Sequence, residues 1–533
     1  MTMTKRSLLL IAVLGLGLIP LFAAQTQAPA QTPPDQKTLN LSLEDCILKA
    51  LKNNLSLAVQ VLNPELSDLA VRVAGEYFLP SLSLSWDSQD TESPSYSFLT
   101  ASGTSSQKRK DYSAQVSENL PFGGSLNASL TAYNLNSNSS FQTINPRYGS
   151  TLSFSLSQPL LQNFGPRIGR RNIIIAQYNR EVTDYQFAKF VQNKIYEVEQ
   201  DYWNLVYAIE NLKVERQSLA LAQELLEKNK RSVEIGTMAP MEVLSAEAEV
   251  AARQADILAG EALVKTSQDT LRRVANLEAE VPGVAGMTLV PTSVPTSEPR
   301  EVSYEDSYAT ALARRPDLAA SRVDVTSSEF NLTIARNQLL PDLSLNAQYY
   351  SPGISGTQLL YLDNDPLTGI VIGTIPGGAA NAFKDAFGLK FNNWVVGLTL
   401  TLPLSNIISR AAEAEAQVSL NQSKLSLKDA EQQLSLDVSN AVLGVKTSYQ
   451  QVQAYKVSRE LAQKKLEAEQ ERLRVGLSTN YIVLQYQRDL ATQQGLEIKA
   501  IIDYNLSLAN LETVEGLSLE NKKVELTQWL KRD

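Results

Sequence analysis

Two tripeptides, Ile235-Gly236-Thr237 and Val475-Gly476-Leu477, end long stretches that otherwise contain almost no glycine or proline. A glycine there lets the backbone reverse between two antiparallel helices and lets another molecule come close. Any helical hairpin can use glycine in this way, so the local residues leave a plain turn and a docking tip both open. Catalysis has little to work with. There is no histidine, which removes the commonest general base and metal ligand. The single Cys46 excludes an intrachain disulfide and a cysteine-based zinc cluster, and it falls in a helical pattern that reads as packed. Asp and Glu are scattered without the spacing of a calcium loop, and the sequence has no glycine-rich phosphate loop. The expectation is a protein that is not an enzyme and holds no metal and no cofactor. Acidic residues (57) outnumber basic ones (48) for a net charge of −9, the reverse of what a nucleic-acid partner selects.

The elements that would hold such tips begin with an export signal. Lys5 and Arg6 precede an apolar run over 8–24, and small and proline-rich residues follow to Pro34. This reads as a signal peptide over 1–24, cut after Ala24 or alternatively after Ala30, with a linker over 25–40. Loss of the leader takes the charge to about −11. No later run reaches about 18 apolar residues, so any passage through a membrane must use strands.

The rest of the chain is written twice. Leu43-Glu44-Asp45 with Ala50-Leu51 recurs 261 residues on as Tyr304-Glu305-Asp306 with Ala311-Leu312. The same shift carries Leu79-Pro80-Ser81-Leu82 onto Leu340-Pro341-Asp342-Leu343. Pro159 then matches Pro403, and Gly236 with Val243-Leu244 matches Gly476 with Val483-Leu484. The order predicts a first repeat over 41–280, a second over 301–516 and a tail over 517–533. Between the repeats, 281–300 holds Pro282, Pro291, Pro295 and Pro299 and reads as an extended linker.

Each repeat reads as helix, strands, then a very long helical hairpin. The run 168–234, without proline and without glycine after Gly169, would form a helix of roughly 100 Å. The run 409–474 is similar, and return helices are expected over 240–278 and 479–515. Val438, Val445, Val452, Arg459, Leu466 and Leu473 recur every seventh residue, with Ala441, Ser448, Tyr455 and Ala462 three further on. That is a coiled-coil-like seam with close approach on one side.

Four strand patterns alternate apolar and hydroxyl residues over 81–87, 151–157, 343–349 and 394–402. A lipid-facing and a water-facing side is what a membrane barrel needs. A soluble sandwich shows the same alternation; the export signal favours the barrel. Trp86, Tyr349, Tyr350 and Trp394 suit its interfacial girdle. Four strands cannot close a barrel, so other copies must complete it.

With these features the chain resembles the TolC-like outer-membrane efflux protein family. The resemblance rests on the duplicated Glu-Asp…Ala-Leu openings, the two Leu-Pro-x-Leu-x-Leu starts, the Gln158-Pro159-Leu160-Leu161 and Leu402-Pro403-Leu404 exits, and the glycine tips. It implies a homotrimer whose β-barrel lies in outer-membrane lipid and continues as a long α-helical tunnel through the periplasm. It further implies a passive conduit of a tripartite efflux or type I secretion system, fed by an inner-membrane pump. A periplasmic adaptor would dock at Val475, Gly476 and Leu477 and, less closely matched, at Ile235, Gly236 and Thr237. Opening would splay the hairpins.

The chain departs from the family in two places. Family members place aspartates just after the second tip, where this sequence has Ile482 and Gln485, with Glu242 the nearest acid at the equivalent first-repeat position. These three are the gate candidates; an aliphatic constriction resists ions by dewetting instead of by charge. Ile482 also has the plainer reading of a packed tip residue. The second departure is a further hairpin pattern over 110–133, turning at Pro121-Phe122-Gly123-Gly124. Literal counting gives six strands per copy and eighteen per trimer. The expectation adopted is the family's four and twelve, with glycine- and serine-rich loops over 90–107 and 351–391 facing outward. Arg167, Arg170 and Arg171 read as a solvated collar below the barrel, and Lys108-Arg109-Lys110 as the solvated start of a strand. The alternative function is a soluble periplasmic coiled-coil adaptor or scaffold.

Overall fold

The computed structural model describes residues 38–94, 103–139 and 142–526. The expected leader, most of the 25–40 linker and the end of the tail lie outside these residues. The chain opens with strand β1 (Thr38–Leu41) and helices α1 (Leu43–Asn53) and α2 (Leu55–Glu76). α1 starts on a capping box: the Asp45 amide donates to Ser42 Oγ at 3.0 Å and the Ser42 amide to the Asp45 carboxylate at 3.3 Å. Strands β2 (Ser81–Pro94), β3 (Thr104–Asn119), β4 (Ser125–Ser137) and β5 (Ile144–Pro159) follow. A short α3 (Pro166–Gly169) then leads into α4 (Arg171–Glu234) and its return helix α5 (Pro240–Ala275).

The second half runs through β6 (Thr288–Pro291), α6 (Tyr304–Arg314), α7 (Pro316–Asn337), β7 (Asp342–Tyr361), β8 (Val371–Ile375), α8 (Ala379–Phe387) and β9 (Asn393–Thr401). It ends with α9 (Ile407–Arg474), α10 (Asn480–Glu515) and α11 (Ser518–Asn521). α6 repeats the 11 residues of α1, α7 the 22 of α2, and α10 the 36 of α5. The stretch 281–300 is more than a linker. Its β6 pairs in parallel with β1, Leu39 opposite Leu289, because Leu41 and Leu289 bury themselves at 3% and 1% exposure.

The long helices fall where the glycine and proline gaps put them. α4 has 64 residues and α9 has 68, each about 100 Å of rod. On α9 the seven-residue seam is buried at Val438, Val445, Val452 and Leu466, with Ala441 and Ser448 beside it. Arg459 interrupts it by reaching across to Glu497 at 2.9 Å. Cys46 lies in the core formed by α1, α4, α5, β1 and β6, and burial pushes its thiol up to about 12.

The sheet corrects the expected strand count. β2, β3, β4, β5, β7 and β9 pair in that order, each antiparallel to the next, while β8 pairs only with the far end of β7. The hairpin over 110–133 is therefore inside the sheet as β3 and β4, and one copy supplies six long strands. Lys108, Arg109 and Lys110 sit within β3, not at its start; Lys108 pairs with Asp90 at 3.0 Å. Much of the 90–107 and 351–391 segments is also structured. β7 runs to Tyr361 because Gly353 and Gly356 allow contacts that a side chain would block: a Cβ on Gly353 would lie 2.0 Å from Ala382 O and one on Gly356 2.2 Å from Pro146 O. α8 covers the apolar face there. Ser150 and Ser351, which break the apolar alternation, are buried, and Ser150 Oγ donates to Ala382 O at 2.9 Å.

Candidate functional site

α4 and α9 end in the same way. Gly236 (φ +77°) and Gly476 (φ +79°) adopt the left-handed conformation. The Thr237 amide donates to Ser232 O at 2.9 Å and Gly236 to Val233 O at 3.0 Å; Leu477 donates to Arg472 O at 2.8 Å and Gly476 to Leu473 O at 3.1 Å. These paired bonds satisfy the last helical carbonyls in a Schellman motif. Any residue with a Cβ would be strained at either φ by about 1 kcal/mol. Nothing lies within 4 Å of the place a Cβ would occupy, so both glycines face open space.

That space is rimmed with exposed apolar side chains. Ile235, Met241 and Leu244 at one tip, and Val475, Leu477 and Tyr481 at the other, are between 59% and 74% exposed. Thr237 is exposed, and its hydroxyl donates to Ser232 O at 3.0 Å. The tips touch each other where Asn480 Nδ2 meets Met238 Sδ at 3.2 Å. Behind them Leu225 of the first hairpin packs with Leu466, Val483, Leu484 and Leu490 of the second. Of the gate candidates, Ile482 and Glu242 are half-buried and Gln485 is exposed; the Glu242 carbonyl accepts from Asn229 Nδ2 at 3.5 Å.

One constellation went unnoticed in the sequence. Glu249 on α5 is bound by two arginines, Arg253 on its own helix at 3.0 Å and Arg488 on α10. Arg253 also donates to Ser218 O on α4 at 2.8 Å and to Leu484 O on α10 at 3.4 Å. The cluster therefore ties the first hairpin to the second. Burial works against the Glu249 carboxylate, but hydrogen bonds from Arg488 and Arg253 outweigh it and hold the group below its usual range. The Glu249/Arg253 spacing of four was a local signal; the third partner, 239 residues away, had none.

Below the sheet Arg167 and Arg170 are exposed and Arg171 is half-buried, which fits the solvated collar expected there. Arg167 lies over the Phe330 ring at 5.5 Å, and Arg171 Nη1 donates to Asn163 Oδ1 at 3.2 Å. Arg170 supplies the carbonyl that accepts from the Ile174 amide at the start of α4.

A six-stranded sheet with one apolar face, joined in one chain to helical hairpins of about 100 Å, is the architecture of an outer-membrane duct. The sequence pattern of the outer membrane efflux protein family matches residues 125–277 and 308–517, and the chain belongs to that family. It is an outer-membrane efflux protein with a periplasmic helical extension. It is 26% identical over 392 residues to the outer membrane protein TolC of Vibrio cholerae serotype O1, covering 72% of this chain and 81% of the relative. The crystal structure of the CmeC outer membrane channel of Campylobacter jejuni superposes with a TM-score of 0.62 at 16% identity, over 92% of this chain and 89% of that one. The open state of the Neisseria gonorrhoeae MtrE outer membrane channel gives 0.58 at 18% identity, over 89% of each chain. These findings support the channel and not the soluble scaffold.

Proposed function

We propose that three copies of this two-repeat chain form a passive duct through the outer membrane, and that cargo reaches it from an inner-membrane pump through a periplasmic adaptor. The observation that carries the reading is the continuity, within one protomer, of an alternating sheet and tunnel-length hairpins. Self-association has its own support on α2. Leu55, Val59, Leu62, Leu66, Leu69 and Val73 stand alternately four and three residues apart, and each is between 48% and 72% exposed. That is a coiled-coil seam with no helix among the described residues to cover it, and a second copy supplies one.

The adaptor docks at Ile235, Gly236, Thr237, Val475, Gly476 and Leu477. The open glycines admit a backbone and the apolar rim supplies contact area. Ile482, Gln485 and Glu242 line the closed end, which opens when docking favours hairpins drawn apart. The cluster around Glu249 opposes that movement. Leu477→Arg tests the docking site, because the side chain is exposed and its loss leaves folding intact. Export of a pumped dye should fall at least about tenfold with an unchanged amount of protein in the outer membrane. Normal export would remove the adaptor from this tip.

A further inference from the structure

The sheet has two edges without a partner among the described residues, β2 on one side and β9 on the other. Both carry exposed apolar residues: Leu82, Leu84 and Trp86 on β2, and Trp394, Val396, Leu398 and Leu400 on β9. Long apolar edges of this kind aggregate unless something pairs with them.

The added hairpin is fitted to the sheet and does not hang from it. The row through Leu82 runs Val116, Ala128, Phe154, Tyr349 and Trp394, with every residue on the apolar face. The row through Ser85 runs Ser113, Thr131 and Thr151 on the other face. β3 and β4 thus extend the lipid side and the water side without a slip of one residue, which would have exchanged the faces. Their turn is seated on the base of the sheet. Gly165 donates to Phe122 O at 3.2 Å, and a Cβ on Gly123 or Gly169 would lie 2.1 Å from Asn163 O or 2.2 Å from Pro121 O. The family match begins at residue 125, the first residue of β4, so two of these six strands precede it.

Parity and tilt say what meets the edges. With six antiparallel strands, β2 and β9 run in opposite directions, so β9 of one copy can pair antiparallel with β2 of the next. The row that starts at Ser81 passes Ser117, Asn127, Ser155 and Gln348 and reaches β9 at Val395, six residues short of Thr401. Levelling the periplasmic ends, Ser81 against Thr401, therefore needs a climb of about six residues over six strands. At about 3.3 Å per residue and 4.8 Å per strand this is a tilt of about 35°, the value of closed barrels.

We propose that β2 of each copy pairs with β9 of its neighbour in this register, and that the trimer closes as an eighteen-stranded barrel. The proposal rests on the three-copy reading above. The backbone diameter comes to about 34 Å, against about 23 Å for twelve strands at the same tilt. The occupant of each free edge is a second copy of this chain, and the outer pore is wide enough to add no sieve of its own.

Paired cysteines test the register in the mature protein purified in mild detergent. Ser83→Cys with Thr399→Cys, and Leu84→Cys with Leu398→Cys, place two adjacent facing pairs, one of which has the closer spacing that a disulfide needs. Oxidation should give covalent trimers on denaturing gels for at least one pair. It should give none for the single variants or for Ser83→Cys with Val395→Cys. Cryo-electron images of the same particles should show eighteen strands. Trimers without these cross-links, or with twelve strands, would overturn the closure and leave the duct standing. Particles of one or two copies would overturn the three-copy reading itself and with it the count.

Discussion

The two halves of the chain agree in their helices and differ in their strands. Three of the four paired helices have equal lengths of 11, 22 and 36 residues and the longest pair, at 64 and 68, differs by about one turn, while the first half carries four long strands in the sheet and the second carries two. The difference follows from how each element is held. A helix in a seam of about 100 Å is tied to its neighbour at every turn, and one residue gained or lost rotates everything beyond it by about 100°. A sheet accepts two strands at once, because an added hairpin restores both the direction and the face of the strand that follows. Length is kept to within about one turn between the halves where register runs along the element, and it is free where register runs across it.

The sharpest way to break this comparison is a single alanine inserted between Val445 and Lys446. Val452 and Leu466, buried at 3% each, would turn out of the seam. At about 1.5–3 kcal/mol per side chain, together with the loss of the tip cluster beyond, no assembled protein is expected in the membrane fraction. The sheet should tolerate a far larger change. Removing residues 98–139 deletes β3 and β4 and lets β2 meet β5 in the existing rows, Leu82 against Phe154. Native mass measurement should still find the assembly, with a barrel cross-section reduced to about half. Loss of assembly here would show that the hairpin is structural and not an insertion.

Helix lengths match between the halves to within about one turn, but the cluster that joins the hairpins does not. Glu249 and Arg253 on α5 have Asp489 and Gln493 at the equivalent positions on α10, and Arg488 has Ala248. Arg488→Ala removes the only link of this cluster that comes from an α10 side chain. It should cost about 1–2 kcal/mol, since Arg488 is largely exposed while Glu249 keeps Arg253. The reading is leak current in planar bilayers, which should rise several-fold. The Glu249 carboxylate is held below its usual value, so its contribution is full above the unfolded pKa of about 4.3 and is lost as pH falls through the lower folded value. Closed channels should therefore loosen only in acid, and Glu249→Gln should abolish that dependence.

How much of this was legible in the sequence depended on the reach of each signal. Helix extents were, because glycine and proline punctuate locally: 409–474 became Ile407–Arg474. The tips were, because the left-handed φ at Gly236 and Gly476 demands glycine at a fixed offset from the helix end. The 110–133 hairpin was visible as a pattern, yet its place in the sheet depends on pairing partners that alternation alone does not name. The segment 351–391 read as loop because glycine marks both turns and close approaches, and Gly353 is of the second kind, under α8. The bond from Arg488 to Glu249 was hidden, since neither residue breaks the pattern of an exposed helix face.

The smallest test compares two clamps that hold the opening helix of each half to the end of its return helix. In the first half Glu280 takes Lys49 and, at 2.9 Å, Lys52; in the second, Glu520 takes Arg314 alone at 2.7 Å. Glu520 lies 240 residues after Glu280, the same shift that relates the tips. Hydrogen bonds from Lys49, then Lys52, hold the Glu280 carboxylate down to about 2. A depressed value means that the clamp is complete above the ordinary carboxylate range and lets go only as pH falls toward 2. Glu280→Gln should lower the melting midpoint by about 1 °C at pH 7 and remove the last acid-labile step. Glu520→Gln, with both partners more than half exposed, should change neither. Equal effects would mean that the second lysine adds nothing, and that the halves are held alike at this end as they are along their helices.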